Sequence, residues 1–206
     1  MKKVYFDVGA NDGHSSIPKA QGSDLQFYAF EPTPQMIEKI KTKIVNVNNY
    51  TLVEKAVSDF NGYTTFNVSV GDFGCSSLLE FSEKNKTEWG PERRNLADPI
   101  KIEVEVIRLD KFVVDNDIEE ITFLHIDTQG SDLNVLKGLG DRISIVKEGV
   151  MEAAIKQDVL YRGQNMKDEC VAWLESNGFS ITRFESNDLH GNEINIYFKN
   201  NNINEH

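Results

Sequence analysis

Three acids sit where apolar runs end: Asp7 in VYFDVG, Glu31 in YAFEPTP and Asp127 in FLHIDTQG. The carboxyl ends of buried strands are where open α/β sheets present groups to a ligand. After Asp7 the chain breaks into the turn DVGANDG, which packs Asp7, Gly9, Asn11, Asp12 and Gly13 into seven residues. Glycine permits left-handed backbone there and a close approach of main chain to ligand. Glu31 follows Gly13 by eighteen residues, and a strand-tip acid at that remove accepts hydrogen bonds from both hydroxyls of a ribose. These residue types at this spacing read as a nucleoside site beside a reacting centre.

The turn itself narrows the choice of nucleoside. A dinucleotide turn has the form GxGxxG, so that helix-start amides cradle a pyrophosphate. Here the glycines are four apart, Asn11 stands in place of the second, and two acids would repel a diphosphate. S-adenosylmethionine has no phosphate and carries a sulfonium and an ammonium. Its carboxylate can rest on a helix N-terminus while Asp7 favours the cationic part. A nicotinamide-dependent oxidoreductase shares the ribose acid but lacks both the GxGxxG turn and a Tyr-x-x-x-Lys pair. That reading stays open as an alternative, as does a non-catalytic scaffold that keeps the cofactor pocket.

Methyl transfer to an alcohol needs alignment and a base for the departing proton. Asp127, at the end of a strand, is one candidate base. Glu152, ending the next strand in VMEAAIK, is the second, and His190, in the polar turn NDLHGNE, is the third. His125 lies two residues before Asp127, hence on the same sheet face, and reads as a packed strand residue.

These groups must be held by a mostly parallel sheet, since β-branched and aromatic runs alternate with helix-like stretches. Strands are expected at 3–8, 25–31, 50–58, 121–127 and 143–153, with FSITRF and EINIYFK closing the sheet as a pair. Thr33 and Pro34 read as a helix N-cap and first helical position. Ile37, Ile40 and Ile44 then mark one helix face. A second helix is expected from Ser131, as its cap, to Lys137, and a third over MKDECVAWLESNG. TTFNVSV and KIEVEVIRL show period-two patterning and read as an antiparallel pair around a long polar insertion. One domain over residues 1–200 is expected, with the insertion at about 64–108 shaping the acceptor pocket and a frayed tail at 201–206.

Composition sets outer bounds. The chain has 206 residues, with Lys+Arg 22 against Asp+Glu 33 and a formal charge of −11. Such a surface repels a phosphate backbone, so nucleic acid is not an expected partner. No run approaches the roughly 18 apolar residues of a membrane span, and no secretory signal is visible. A cytoplasmic location without a membrane partner is the expectation. Cys75 and Cys170 are in no metal-like spacing, and no metal site is expected; the oligomeric state is not legible.

In order and spacing, several pieces together resemble the FkbM-type family of S-adenosylmethionine-dependent methyltransferases along nearly the whole chain. They are FDVGANDG, FEPTP, EKAVSD, GCSSL, IRLDKF, HIDTQGSDLNVLKG and NIYF. The resemblance implies an α/β, Rossmann-like class I methyltransferase fold: a mostly parallel seven-stranded sheet, its last strand antiparallel, helices on both faces and a small β-hairpin insertion. With the spacing, it also implies how the cofactor lies. Asp7, Gly9, Asn11 and Gly13 would form the loop under the methionine part, with Ser15 or Ser16 near the helix start. Glu31, with Pro32 beside it, would hold the ribose. Ala56, Val57 and Ser58 would flank adenine, Asp59 would meet its amino group, and Asp127 would border the cofactor. Family members often carry a further acid two residues after the strand-end aspartate, where this chain has Gln129. GCSSL, TEWGPERR, Tyr161, Arg162 and Gln164 offer a polar and aromatic lining. That lining suits a small-molecule or glycan acceptor, and a hydroxyl-rich one such as a sugar.

Overall fold

The computed structural model describes residues 2–83, 99–157, 160–186 and 191–202. The elements run β1 (Lys3–Val8), α1 (Ile17–Gln21), β2 (Gln26–Phe30), α2 (Pro34–Lys43), β3 (Tyr50–Val53), β4 (Ala56–Val57), β5 (Gly62–Val68) and β6 (Ile100–Ile107). They continue as α3 (Leu109–Asp115), β7 (Glu120–Ile126), α4 (Asp132–Lys137), β8 (Glu148–Ala154), α5 (Lys167–Ser176), β9 (Phe179–Ser186) and β10 (Glu193–Asn200). The residues 87–94 of TEWGPERR and His190 lie outside the described residues. Among the described residues no helix is long and apolar enough to cross a membrane.

Seven strands form one sheet in the order β3-β2-β1-β7-β8-β10-β9. All neighbours pair in parallel except β10, which runs antiparallel between β8 and β9. The chain builds outward from β1 through β2 to β3, then returns to the other side of β1 with β7. That reversal leaves a crevice between the β1 and β7 tips, the place where open sheets bind ligands.

Each face of the sheet has its own cover. Val4, Phe6, Val8, Leu124, Ile126, Met151 and Phe198 point one way and pack on residues of α3, α4 and α5. Tyr5, Phe27 and Ala29 point the other way, against Ile17 and Ala20 of α1 and Ile40 of α2. Strand alternation produces this division directly. Phe6 is fully buried and meets Tyr28, Phe30 and Phe112 edge-on at centroid distances of 5.7, 5.3 and 5.9 Å. A side chain of that size contributes about 1.5–3 kcal/mol by burial.

The expectations at 50–58, 64–108 and 143–153 need correction. The stretch 50–58 is two strands: the Lys55 N–H turns back to the Val53 carbonyl at 2.8 Å, and β4 leaves the large sheet to pair with β6. The insertion is therefore a three-stranded sheet, β4-β6-β5, in which the expected β5–β6 hairpin pairing is present. Residues 140–145 form a 3-10 turn, and the strand begins only at Glu148. Helix α3 was not anticipated; its apolar Leu109, Phe112 and Val113 follow helical spacing over barely two turns.

Candidate functional site

The first turn is shaped by main-chain packing. Gly9 and Ala10 both donate their N–H to the Phe30 carbonyl, at 3.0 and 3.1 Å. Gly9 has φ +83°, and a Cβ there would lie 1.9 Å from the Asp127 carbonyl oxygen. Only glycine fits where the β1 and β7 tips come this close. Asn11 also has positive φ, 51°, which turns its N–H to Glu31 Oε2 at 2.8 Å, while the Thr33 N–H donates to Oε1 at 2.8 Å. Glu31 is 5% exposed. Burial pushes its carboxyl up to about 7, against the opposing pull of the Thr33 and Asn11 bonds.

The two acids of the turn each have partners within the protein. Asp7 is 1% exposed, paired in register with His125, and its Oδ1 lies 2.7 Å from His125 Nδ1. Burial acts to lower the imidazole pKa. The bond to Asp7 and the charges of Asp7 and Asp127 outweigh it and hold His125 above its ordinary value. Asp7 is thus engaged beneath the cleft floor. Asp12 turns outward to Lys43 at 2.8 Å and His14 at 3.0 Å, and the Lys43 bond is the main reason its carboxyl falls to about 2.

A second cluster stands at the β7 and β8 tips. Gln129 Nε2 donates to Asp127 Oδ1 at 2.6 Å and to Glu152 Oε2 at 3.3 Å. The Tyr161 hydroxyl lies 2.7 Å from Gln129 Oε1 and 2.9 Å from the Cys75 carbonyl. Burial raises the Asp127 carboxyl pKa, with the Gln129 bond and the His125 charge opposing. Below them Asp132, fully buried, accepts from the Thr128 N–H and hydroxyl at 2.8 and 2.6 Å and from the Glu152 N–H at 2.7 Å. It, and not the expected cap Ser131, organises the loop: Ser131 makes no side-chain cap bond. Burial, then the Asp127 charge, push Asp132 up to about 6. Asp132→Asn would set an amide N–H against these donors. It is expected to lower stability by about 1–3 kcal/mol, read as a fall of several degrees in the thermal midpoint.

One cleft of about 710 Å³ joins the two clusters. Of the expected residues, Gly9, Asn11, Ser15, Glu31, Pro32, Ala56, Val57, Asp127 and Glu152 line it. Asp7, Gly13, Ser58 and Asp59 do not. A Cβ on Gly13 would meet the Ile17 side chain at 2.4 Å. Ser58 is buried with its carbonyl against Gly138, and Asp59 is exposed, its carbonyl accepting from Arg108 at 2.8 Å. From the insertion, Gly74, Ser76 and Leu78 reach the cleft. Tyr161 and Gln164 are buried behind it, and Arg162 pairs with Glu80 at 3.6 Å. Sequence reasoning missed Phe66, Phe123, Tyr197 and Arg183. Their strands were visible, but which face of each meets the cleft depends on register, as in the pairing of Tyr197 with Arg183.

Sheet order, switch-point crevice and antiparallel β10 define the Rossmann-like class I methyltransferase fold. The crystal structure of methyltransferase FkbM from Methylobacillus flagellatus is similar over 95% of this chain and 43% of its own, with TM-score 0.59 and 15% identity. Magnesium protoporphyrin IX methyltransferase from Synechocystis, solved with bound SAH, is similar over 96% and 73%, with TM-score 0.52 and 12% identity. Residues 7–181 match the methyltransferase FkbM domain, and the chain belongs to that family. The 2-O-methyltransferase NoeI of Sinorhizobium fredii is 27% identical over 172 residues, covering 78% of this chain; the chain spans 66% of NoeI.

Proposed function

We propose that the chain transfers a methyl group from S-adenosylmethionine to a hydroxyl of a sugar or other small polyhydroxylated acceptor. The observation that carries this is the layout of the cleft, with Glu31 at one end, the Asp127–Glu152 pair at the other and the glycine turn between them. FkbM family membership supports methyl transfer, and the name of NoeI supports an oxygen acceptor.

The residues present fit the cofactor. Each Glu31 oxygen accepts one backbone N–H and keeps a lone pair for a ribose hydroxyl. Ala56, Val57, Phe66 and Leu78 supply apolar walls for adenine. The Gly9–Asn11 backbone lets the methionine part lie against the main chain. The cleft volume falls within the roughly 300–1,000 Å³ of small-molecule sites. When bound, S-adenosylmethionine supplies an electrophilic methyl carbon, which passes from sulfur to oxygen and leaves a neutral thioether.

The chain's own part is to align the acceptor hydroxyl and remove its proton. Alignment is worth roughly 7–11 kcal/mol, and a positioned base a further 10²–10⁴-fold or so. Asp127 is the base in this reading. It stands at the crevice beside Gly9, and burial keeps its carboxyl more basic than usual. Glu152 binds an acceptor hydroxyl beside it.

Thermal denaturation with S-adenosylhomocysteine and with NAD tests the reading. S-adenosylhomocysteine at a hundred times its Kd should stabilise the fold by about 2.7 kcal/mol, and NAD should do nothing. The reverse pattern removes the methyltransferase reading. Stabilisation without turnover against a panel of sugars and polyols removes the acceptor class.

A further inference from the structure

We propose that Gln129 is the positioning residue of the acid pair: its carboxamide gives one N–H to each of Asp127 and Glu152, keeping both carboxylates unprotonated and aimed together. The proposal rests on the methyl-transfer reading for its purpose, but its geometry stands alone. Nε2 carries two protons, and its two partners are the Asp127 and Glu152 oxygens at 2.6 and 3.3 Å.

The orientation of the amide is enforced. A flipped amide would set its oxygen against two carboxylates, whereas as placed its Oε1 faces the Tyr161 hydroxyl at 2.7 Å. The backbone is enforced too. Gln129 has φ +56°, a conformation that a non-glycine residue holds only when its surroundings demand it. Here the Ser77 hydroxyl donates to the Gln129 carbonyl at 2.7 Å, and Gly130 continues the turn with φ +95°. The insertion, through Ser77 and Cys75, thus fixes a residue that touches both acids.

Two carboxylates held by one nitrogen repel each other, and repulsion favours protonation of one of them. A lysine or a bound cation would offset that repulsion but would also pair with the base. A neutral double donor offsets it and leaves each acid lone pairs for a substrate hydroxyl. Among the described residues, the charged or titratable groups around the pair include Asp7 of β1, His14 of the first turn, His125 of β7, Asp132 of α4, Glu193 of β10, Cys75 and Tyr161, with Lys19 and Arg183 lining the same cleft. Of these, His125 and His14 favour the ionised Asp127, and Asp7 opposes it.

The test is a carbon-13 NMR titration of the Asp and Glu side-chain carboxyls in the native protein and in Gln129→Met, which keeps the volume and loses both N–H groups. The Asp127 and Glu152 midpoints should rise by about one pH unit, the size expected when a charge-assisted bond is lost. The acid limb of the pH–rate profile should rise with them, so that the rate falls about tenfold at pH values below the native midpoint and recovers well above it. Tyr161→Phe, which frees the amide to turn, should shift the midpoints the same way by less. It serves as the test if Gln129→Met does not fold. Unmoved midpoints in a folded variant that still binds S-adenosylhomocysteine overturn the proposal, as does a rate loss equal at every pH. Shifted midpoints in a protein that turns over no acceptor uphold the positioning role and remove the methyl-transfer reading instead.

Discussion

Asp127→Asn should lower kcat by about 10²–10⁴-fold, the usual contribution of a positioned base, with S-adenosylhomocysteine affinity nearly unchanged. The asparagine keeps an oxygen for the Gln129 amide, so the 2.6 Å contact and the loop survive. What is lost is the ability to take a proton. Glu152→Gln should cost only about tenfold, the loss of one hydrogen bond to a bound hydroxyl. The pH dependence discriminates further. Burial raises the Asp127 carboxyl above the usual aspartate value, so the rate of the native enzyme should climb with pH above the normal carboxylate range of about 4. Asp127→Asn should have no such climb. Steady-state rates and calorimetry on both variants check this. Equal activity of the two would remove Asp127 as base.

Much of this site was legible because strand tips are legible. Apolar runs that end in an acid placed Glu31, Asp127 and Glu152 correctly at the cleft, since strand period and sheet order together put those ends on one edge. The seven-stranded sheet and the antiparallel β10 followed from the same patterning and the family resemblance. What stayed hidden depended on partners far along the chain. Asp7 and Asp127 look alike in sequence, each an acid at a strand end. Asp7 pairs through Oδ1 with His125, 118 residues away, while Asp127 lines the cleft. Asp12, the other acid of that turn, pairs with Lys43 of α2.

Asp132 drew no reading from the sequence, yet it is a buried staple to β8. The break between β3 and β4 falls at the polar pair Glu54 and Lys55, which interrupts the strand pattern without showing where the chain goes next. Only the competing edge of β6 draws Ala56 and Val57 away. Gln129 was visible as an amide where the family resemblance leads one to expect an acid. Its function was not, because the two carboxylates and the tyrosine that define it come from three separate segments.

Glu31 should be the main determinant of nucleoside binding, and its titration gives that expectation a sign. Glu31→Ala removes an acceptor for two ribose hydroxyls. Bonds to a charged group are worth about 1.5–3 kcal/mol each, so S-adenosylhomocysteine affinity should fall by about 10²-fold or more. In the folded protein the carboxyl sits near 7, raised by burial from an ordinary 4.5. A raised acid stabilises the fold fully below its unfolded pKa, and that contribution is lost as pH rises through the folded value. The ligand-free protein should therefore lose up to about 3 kcal/mol between pH 4.5 and 7 relative to Glu31→Gln.

Binding pulls the other way, because ribose hydroxyls donate to the ionised form. Near pH 6.5, then, S-adenosylhomocysteine should expel up to about one proton from Glu31 as it binds. Calorimetry in two buffers of different ionisation enthalpy reads that proton directly. Native protein should show a buffer-dependent heat and Glu31→Gln should not. The same proton count in both proteins would mean that the ribose is held elsewhere.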